Sequence, residues 1–502
     1  MASNRKPVFG NAILRMVFVG IALLIQIVWI LLSVLVLNES YPWLALLTRI
    51  LSLLVILRLN SRNTGSAYKM MWIMLIMAAP VMGLSLYLMI GIFGDLGSIG
   101  KRMKAMRKVT RSDLPCEKVS SGEISAYLQN QVGCPAYTYT ASDYYAEAAD
   151  AFETLKEELE KAASFIFMEY FIVSGDSAFR EICDILIRKV RQGVEVRLMY
   201  DDVGSVGSAN MLFAKRLSDA GIQCTVFNPA VPLLNVFMNH RDHRKITVID
   251  GKVGFTGGYN LSDEYFGRKN PYGHWKDTGI RLEGAAVRSL TAAFLEMWNA
   301  SIGKMEDVSP FLSVHHSVEA DGWVQPYEDD PLGTERVAEN VYLDLIYGAK
   351  KSLYIVTPYL IITDEMSNAL GMAAKRGVDV RIITPGIPDK KAVYAVTRSY
   401  YAGLTVQGVR IFEYAPGFCH AKQMLCDGRI ASIGTSNLDY RSLYLHFENN
   451  VLLCGGRAVE QMALDFETMF SQSCEVTELC RSDRSGMLRL GQYILRMFAP
   501  LL

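Results

Sequence analysis

His243-Arg-Lys245-Ile-Thr-Val-Ile-Asp250 and His420-Ala-Lys422-Gln-Met-Leu-Cys-Asp427 are two copies of one pattern, His-x-Lys-x4-Asp. Each is followed at the same offset by a turn of small residues ending in asparagine: Gly257-Gly258-Tyr259-Asn260, then Gly434-Thr435-Ser436-Asn437. One such triplet arises by chance on a strand; two in register describe two halves of one site. The repeat extends beyond the triplets, as an internal duplication should. Residues 164–173 (SFIFMEYFIV) and 352–361 (SLYIVTPYLI) have the β-branched and aromatic content of buried strands. Gln192-Gly-Val-Glu-Val-Arg-Leu-Met199 and Arg376-Gly-Val-Asp-Val-Arg-Ile-Ile383 each place a glycine at a helix end and then an apolar strand. Alternating strands and helices predict an α/β fold, a mixed sheet flanked by helices in each of two tandem lobes related by a pseudo-two-fold axis. The lobes are expected over 141–310 and 320–482.

Side chains two apart on a strand share a face, so His243 and Lys245 emerge together, as do His420 and Lys422. If the lobes face each other, two imidazoles, two ammonium groups and two asparagine amides surround one pocket. That set suits a phosphate diester. Lys245 and Lys422 neutralise the charge that accumulates on phosphoryl oxygens, Asn260 and Asn437 donate hydrogen bonds, and the small residues at Gly257, Gly258, Gly434 and Ser436 let the backbone approach. One imidazole attacks phosphorus; the other protonates the departing alkoxide and then deprotonates the incoming alcohol. The scheme calls for no metal and no cofactor. A carboxylate behind each ring fixes its tautomer, and Asp277 and Glu448, which follow their histidines at similar intervals, are the candidates. Asp250 and Asp427 complete the repeated catalytic motif, but each precedes a glycine, a turn signal that gives them a holding role rather than a substrate contact.

Other features carry less. His240 has no counterpart in the second copy. Cys419 adjoins His420 but alternation turns it to the opposite face. His315 and His316 fall in the junction between the lobes, with no carboxylate or cysteine at metal spacing. The nine cysteines include no C-x-x-C pair and read as reduced thiols of a cytoplasmic catalytic region.

The chain has 502 residues, 51% of them hydrophobic, and no net charge, which argues against a general nucleic-acid binder. Its apolar residues concentrate in a membrane region over 1–93. Residues 16–37 and 70–93 carry no charge and each exceeds the roughly 20 residues needed to span a bilayer. Residues 43–59 contain Arg49, where a mid-membrane charge costs about 2.5–3.5 kcal/mol, and read as an interfacial segment or a third span. Basic residues on both flanks favour two spans with both ends in the cytoplasm. Residues 94–140 read as a flexible juxtamembrane linker whose basic run meets anionic lipid head groups at about 1 kcal/mol per charge. Residues 483–502 form an amphipathic tail, docked on the core or lying on the membrane surface.

The doubled motif resembles the phospholipase D superfamily. Within it, Asn239-His-Arg-Asp-His243-Arg-Lys245, Thr256-Gly-Gly-Tyr-Asn260, Thr357-Pro-Tyr-Leu360, Gly434-Thr-Ser-Asn437-Leu-Asp439-Tyr-Arg441-Ser442 and Ala499-Pro-Leu-Leu502 are similar to the bacterial cardiolipin synthases. So are Trp72 and Pro80-Val-Met-Gly83 through Tyr87. The resemblance implies phosphatidyl transfer between two phosphatidylglycerols, giving cardiolipin and glycerol, at the bacterial cell membrane. It makes His243 the nucleophile and His420 the acid/base. Two departures, Thr363-Asp-Glu365 after the Thr-Pro-Tyr strand and His446 where the family often has asparagine, lie outside the catalytic set and bear on acceptor choice. Phospholipase D hydrolysis and phosphatidylserine synthesis share the same intermediate and stay open as alternatives. A nuclease fits the membrane region and neutral charge poorly, and a non-catalytic lipid-binding scaffold would have no need of both histidines.

Overall fold

The computed structural model describes Leu24, Val28 and residues 42–61, 65–87, 97–112, 114, 122–206, 211–229, 240–482, 495–497 and 499. Among the described residues, nine strands come from the first half: β1 (Thr140–Tyr145), β2 (Phe165–Tyr170), β3 (Glu195–Asp201), β4 (Gln223–Phe227), β5 (Arg241–Asp242), β6 (Lys245–Ile249), β7 (Val253–Gly257), β8 (His274–Lys276) and β9 (Gly279–Gly284). The second half contributes β10 (Trp323–Asp329), β11 (Ser352–Val356), β12 (Asp379–Pro385), β13 (Arg410–Tyr414), β14 (Gly417–Cys419), β15 (Gln423–Cys426), β16 (Ile430–Gly434), β17 (His446–Cys454) and β18 (Ser473–Glu475).

The lobe 1 sheet runs β1-β9-β7-β6-β2-β3-β4 and the lobe 2 sheet runs β10-β17-β16-β15-β11-β12-β13-β18. Strand for strand the two orders coincide, with β18 added at the edge of the second. In both, three consecutive strands pair in parallel (β2 with β3 and β3 with β4; β11 with β12 and β12 with β13), while the motif strands β6 and β15 pair antiparallel with β2 and β11. The duplication seen in the sequence is thus a duplication of sheet topology.

The lobes share one core. A single buried apolar cluster joins Phe167, Ile246 and Phe294 of the first lobe to Val356, Val451 and Phe466 of the second. Its centre is the helix Val287–Ile302, buried around almost its whole circumference, with Phe294 stacked on Phe167 at 4.7 Å. An apolar helix enclosed this way belongs between layers rather than on a surface.

The N-terminal expectations change. Among the described residues no helix is long and apolar enough to cross a membrane. The span expected over 16–37 lies, apart from Leu24 and Val28, outside the described residues. The segment expected to be a single span over 70–93 is broken: one helix, Ser66–Ala78, stops and another, Pro80–Leu86, begins. Proline lacks the N–H needed inside a helix but suits its first turn, so Pro80 ends one and starts the next. The second helix folds back closely, since a Cβ on Gly83 would stand 2.6 Å from the Ile76 Cα. The middle segment 43–59 lies within the longest described helix of this region, Pro42–Ser61.

The basic run after residue 97 is also corrected. It is a helix, Ser98–Ser112, docked on the helix Val287–Ile302. Arg107 pairs with Glu296 (3.2 Å) and Asp330 (2.7 Å), and Arg111 with Glu296 (2.9 Å) and Glu328 (2.8 Å). Met103 and Met106 enter the shared core. Two of its arginines therefore meet carboxylates of both lobes, and the helix works as a brace between them. Lys101, Lys104 and Lys108 remain on its exposed side. Of the C-terminal tail, Arg496 lies over the Tyr400 ring at 4.0 Å and Ala499 is buried in the lobe 2 core, so these described residues dock on the protein.

Candidate active site

Each motif histidine is delivered by a short strand that leaves its own lobe. β5, ending just before His243, pairs in parallel with β17 of lobe 2; β14, ending just before His420, pairs in parallel with β8 of lobe 1. The ladders continue by one bond: His243 N–H donates to Phe447 O at 3.0 Å, and His420 N–H to Lys276 O at 2.7 Å. The next residue on each partner strand is a carboxylate. His243 Nδ1 therefore lies 2.9 Å from Glu448 Oε2, and His420 Nδ1 lies 2.6 Å from Asp277 Oδ2. The sequence intervals match each carboxylate to the histidine of its own lobe; the structure crosses them. Glu448 and Asp277 are fully buried. With Nδ1 held by a carboxylate, Nε2 is the nitrogen left for substrate.

Lys245 Nζ donates to His243 O at 2.6 Å, and Lys422 Nζ donates likewise to His420 O. Both lysines and both histidines are buried. Burial draws Lys245 down to about 7, against the pull of Glu448 and helped by Lys422, and draws Lys422 down to about 8, against the pull of Asp277 and Glu448. Burial and then Lys422 pull His420 down to about 4, against the opposing pull of Asp277. Burial and then Lys245, with His446 and Lys422, hold His243 well below the usual imidazole range. Burial raises Glu448 well above the ordinary carboxyl value. The pocket is short of negative charge: His243 is held neutral, the state an attacking nitrogen requires, while a bound anion favours the charged lysines and a protonated His420, the state an acid requires.

The other motif residues divide. Asn260 Oδ1 accepts from Ile172 N–H (3.0 Å) and its Nδ2 donates to Tyr265 Oη (2.8 Å), so the amide holds two loops and keeps one N–H for a ligand. Asn437 is less committed, with a buried Oδ1 that has no hydrogen-bond partner. Gly258 makes room for a carboxylate rather than a substrate, since a Cβ there would stand 2.0 Å from Asp277 Oδ1.

Asp250 and Asp427 are moved out of the catalytic set. They sit at the far ends of β6 and β15, both at φ 52. The Asp250 carboxylate accepts the N–H groups of Ala163, Ser164 and Phe165 at 2.7–2.8 Å; Asp427 accepts those of Lys350, Lys351 and Ser352. Each ties its motif hairpin to the start of the central strand beside it.

Rings line the site differently on its two sides. Tyr265, Trp275 and Phe418 surround His420 at centroid distances of 5.4, 5.5 and 5.7 Å. Phe171 and His446 flank His243 at 5.0 and 5.5 Å. His446, read from sequence as lying outside the catalytic set, is thus a neighbour of the first motif histidine. The signal was available: His446 precedes Glu448 by the offset at which Trp275 precedes Asp277. Ligand atoms of His243, His446 and Glu448 lie within 4.8 Å of one another, close enough to share a metal ion, although Lys245 and Lys422 put positive charge beside any cation there. Cys419 faces the core, fully buried, its thiol pushed up to about 12 by that burial. His316 pairs with Glu283 at 3.3 Å on the outer surface, away from these groups.

The comparisons agree with this architecture. The family described as "Cardiolipin synthase, PLD-like domain" matches residues 155–298 and 342–470, and "Phospholipase_D-nuclease N-terminal" matches 49–91. A cardiolipin synthase of Geobacillus sp. (strain WCH70) is 34% identical over 88% of this chain and 91% of its own length. Cardiolipin synthase 2 of Bacillus cereus is 39% identical over 70% of this chain and 69% of its own. A phosphatidylserine synthase structure from Haemophilus influenzae shares the fold, with a TM-score of 0.58 at 15% identity, covering 76% of this chain and 98% of that one. The chain belongs to the cardiolipin synthase family with tandem phospholipase D-like domains.

Proposed function

We propose that this protein is a phosphatidyltransferase that joins two phosphatidylglycerols into cardiolipin and releases glycerol. The observation that carries the chemistry is the pair of imidazoles, each with Nδ1 on a buried carboxylate of the opposite lobe, beside two buried lysines. His243 Nε2 attacks phosphorus, the bond from phosphorus to the glycerol oxygen breaks, and His420 supplies the proton to that oxygen. The primary hydroxyl of a second phosphatidylglycerol then gives its proton to His420 and attacks the phosphatidyl-histidine, breaking the N–P bond and freeing His243. Glu448 orients His243 and stabilises the charge it acquires; Asp277 does the same for His420. Lys245 and Lys422 offset the phosphoryl charge, with Asn260 and Asn437 as further donors.

Both substrates are lipids, and features of this chain support work at a bilayer surface. The helix Pro42–Ser61 leaves Leu46, Ile50, Leu53 and Leu57 exposed, and Lys101, Lys104 and Lys108 line the open side of the bracing helix. We place the lobes on the cytoplasmic face of the bacterial cell membrane. The test is to give the purified protein phosphatidylglycerol in mixed micelles. Cardiolipin and glycerol in equal amounts support the proposal. Phosphatidic acid as the main product makes the enzyme a hydrolase, and phosphatidylserine formed on addition of serine makes it a serine transferase.

A further inference from the structure

His446 is 6% exposed, yet neither of its ring nitrogens has a hydrogen-bond partner. Its Nδ1 lies 3.8 Å from Glu448 Oε1, beyond bonding distance. Across the pseudo-two-fold, the equivalent position is Trp275: His446 is paired with Arg241 in the β5–β17 ladder, two residues ahead of the His243–Glu448 contact, and Trp275 with Phe418 in the β14–β8 ladder, two residues ahead of His420–Asp277. Trp275 is 8% exposed and its Nε1 also has no partner. The centroid distances match as well, 5.5 Å from His446 to His243 and 5.5 Å from Trp275 to His420.

A buried polar group without a partner is uncommon and costly, and two at equivalent positions beside the reacting groups call for a shared explanation. Indole Nε1 only donates. Burial, and then the positive charge of Arg441, Arg241 and Lys245, hold His446 well below the usual imidazole range, so its ring is neutral and carries one N–H. Both therefore offer a single N–H beside the motif histidines and the buried lysines.

We propose that His446 and Trp275 are a matched pair of N–H donors, one from each lobe, that bind oxygens of the phosphate diester and hold it between His243 and His420. This rests on the site taking a phosphate diester but not on which alcohol accepts the phosphatidyl group. The two sides also differ in kind. Imidazole beside His243 can additionally accept a hydrogen bond, whereas the indole side is a closed aromatic wall, so substrate orientation is set by the exchange of one ring type for the other.

The experiment uses the full chain in detergent and glycerophosphoglycerol, a soluble phosphate diester, as the probe. Its affinity is measured by calorimetry, and its competition against phosphatidylglycerol gives a second value. Trp275→Phe keeps an aromatic ring and removes only the N–H; His446→Phe removes both nitrogens, and His446→Gln restores a donor. Trp275→Phe and His446→Phe are expected to weaken the diester by about ten-fold each, with His446→Gln recovering most of the loss. In the wild type, the ring 15N resonances of His446 and the indole resonance of Trp275 shift when the diester is added. Should His446→Phe lose its fold, those two resonances and the Gln variant decide. Unchanged affinity in Trp275→Phe and in the histidine variants, or resonances unmoved by a diester that does bind, overturns the pairing. A wild type that fails to bind the diester at all defeats the phosphodiester reading itself, a separate outcome.

Discussion

His420 Nδ1 stands 2.6 Å from Asp277 Oδ2, and the two residues belong to different lobes. The reciprocal contact, His243 to Glu448 at 2.9 Å, makes each lobe supply the counter-charge for the other's imidazole. A double-mutant cycle tests this directly. His243→Ala with Glu448→Gln should be non-additive by about 0.5–3 kcal/mol, as should His420→Ala with Asp277→Asn. The within-lobe pairs, His243 with Asp277 and His420 with Glu448, should show much weaker coupling. The reverse pattern in transition-state energies would contradict the crossed arrangement.

The nucleophile can be trapped. His243→Ala is expected to form no phosphatidyl adduct and to lose turnover on the order of 10^4–10^6-fold. His420→Ala should lose about 10^2–10^4-fold in turnover and, with its acid/base gone, slow both formation and resolution of the adduct. The check is mass spectrometry of acid-labile label on histidine after mixing with radiolabelled phosphatidylglycerol. A stable adduct in the His243 variant, on His420, would exchange their roles.

The lysines set an alkaline limit. The free enzyme needs its ammonium groups charged to receive an anion. With Lys245 near 7 and Lys422 near 8, that charge is lost as pH rises through this interval. The ratio kcat/KM should therefore fall from about pH 7 upward. Profiles measured in micelles from pH 5 to 9 would expose the limb; a flat response to pH 9 would show that lysine deprotonation does not govern binding.

Asp250 and Asp427 should behave as fold residues. Replacing either by alanine removes a carboxylate that accepts three backbone N–H groups, and a loss of roughly 2–3 kcal/mol of stability is expected, read as a lower melting temperature. At a temperature where the variant is folded, kcat should stay within a few-fold of the parent. A loss of kcat comparable to that of the histidine variants, with melting unchanged, would return them to the chemistry.

The brace between lobes makes a further prediction. Glu296 is fully buried and accepts from Arg107, Arg111 and Thr110. Glu296→Ala leaves Arg107 only Asp330 and Arg111 only Glu328, and should cost about 1.5–3 kcal/mol. Thermal unfolding of the full chain checks it, and a shift below a degree would mean that the helix Ser98–Ser112 contributes little to holding the lobes together.

The sequence made the repeat legible because its chemistry sits on two short strands with the same spacing, and topology followed from the same repetition. Histidine, lysine and asparagine positions were therefore readable from His243, Lys245, Asn260 and their counterparts. The crossing of Asp277 and Glu448 was not. It depends on β5 and β14, strands of two and three residues, too short to carry a hydrophobic pattern, joining the opposite lobe. Charge misled at the Ser98–Ser112 helix. Its basic residues read as lipid-facing, yet Arg107 and Arg111 share a side with Met103 and Met106, and burial rather than charge decides what that side meets. Pro80 was visible in the sequence, but an uncharged run of the right length outweighed it until the backbone showed two helices.

The exchange of carboxylates also orders events in time. A chain emerging from the ribosome completes His243 and Asp277 long before it makes His420 and Glu448. Until the later half docks, His243 has no Glu448 to orient it, and Asp277 has no imidazole to hold. The first half alone is thus incompetent toward any phosphodiester it encounters, and catalysis begins only once synthesis and folding of the whole chain are finished.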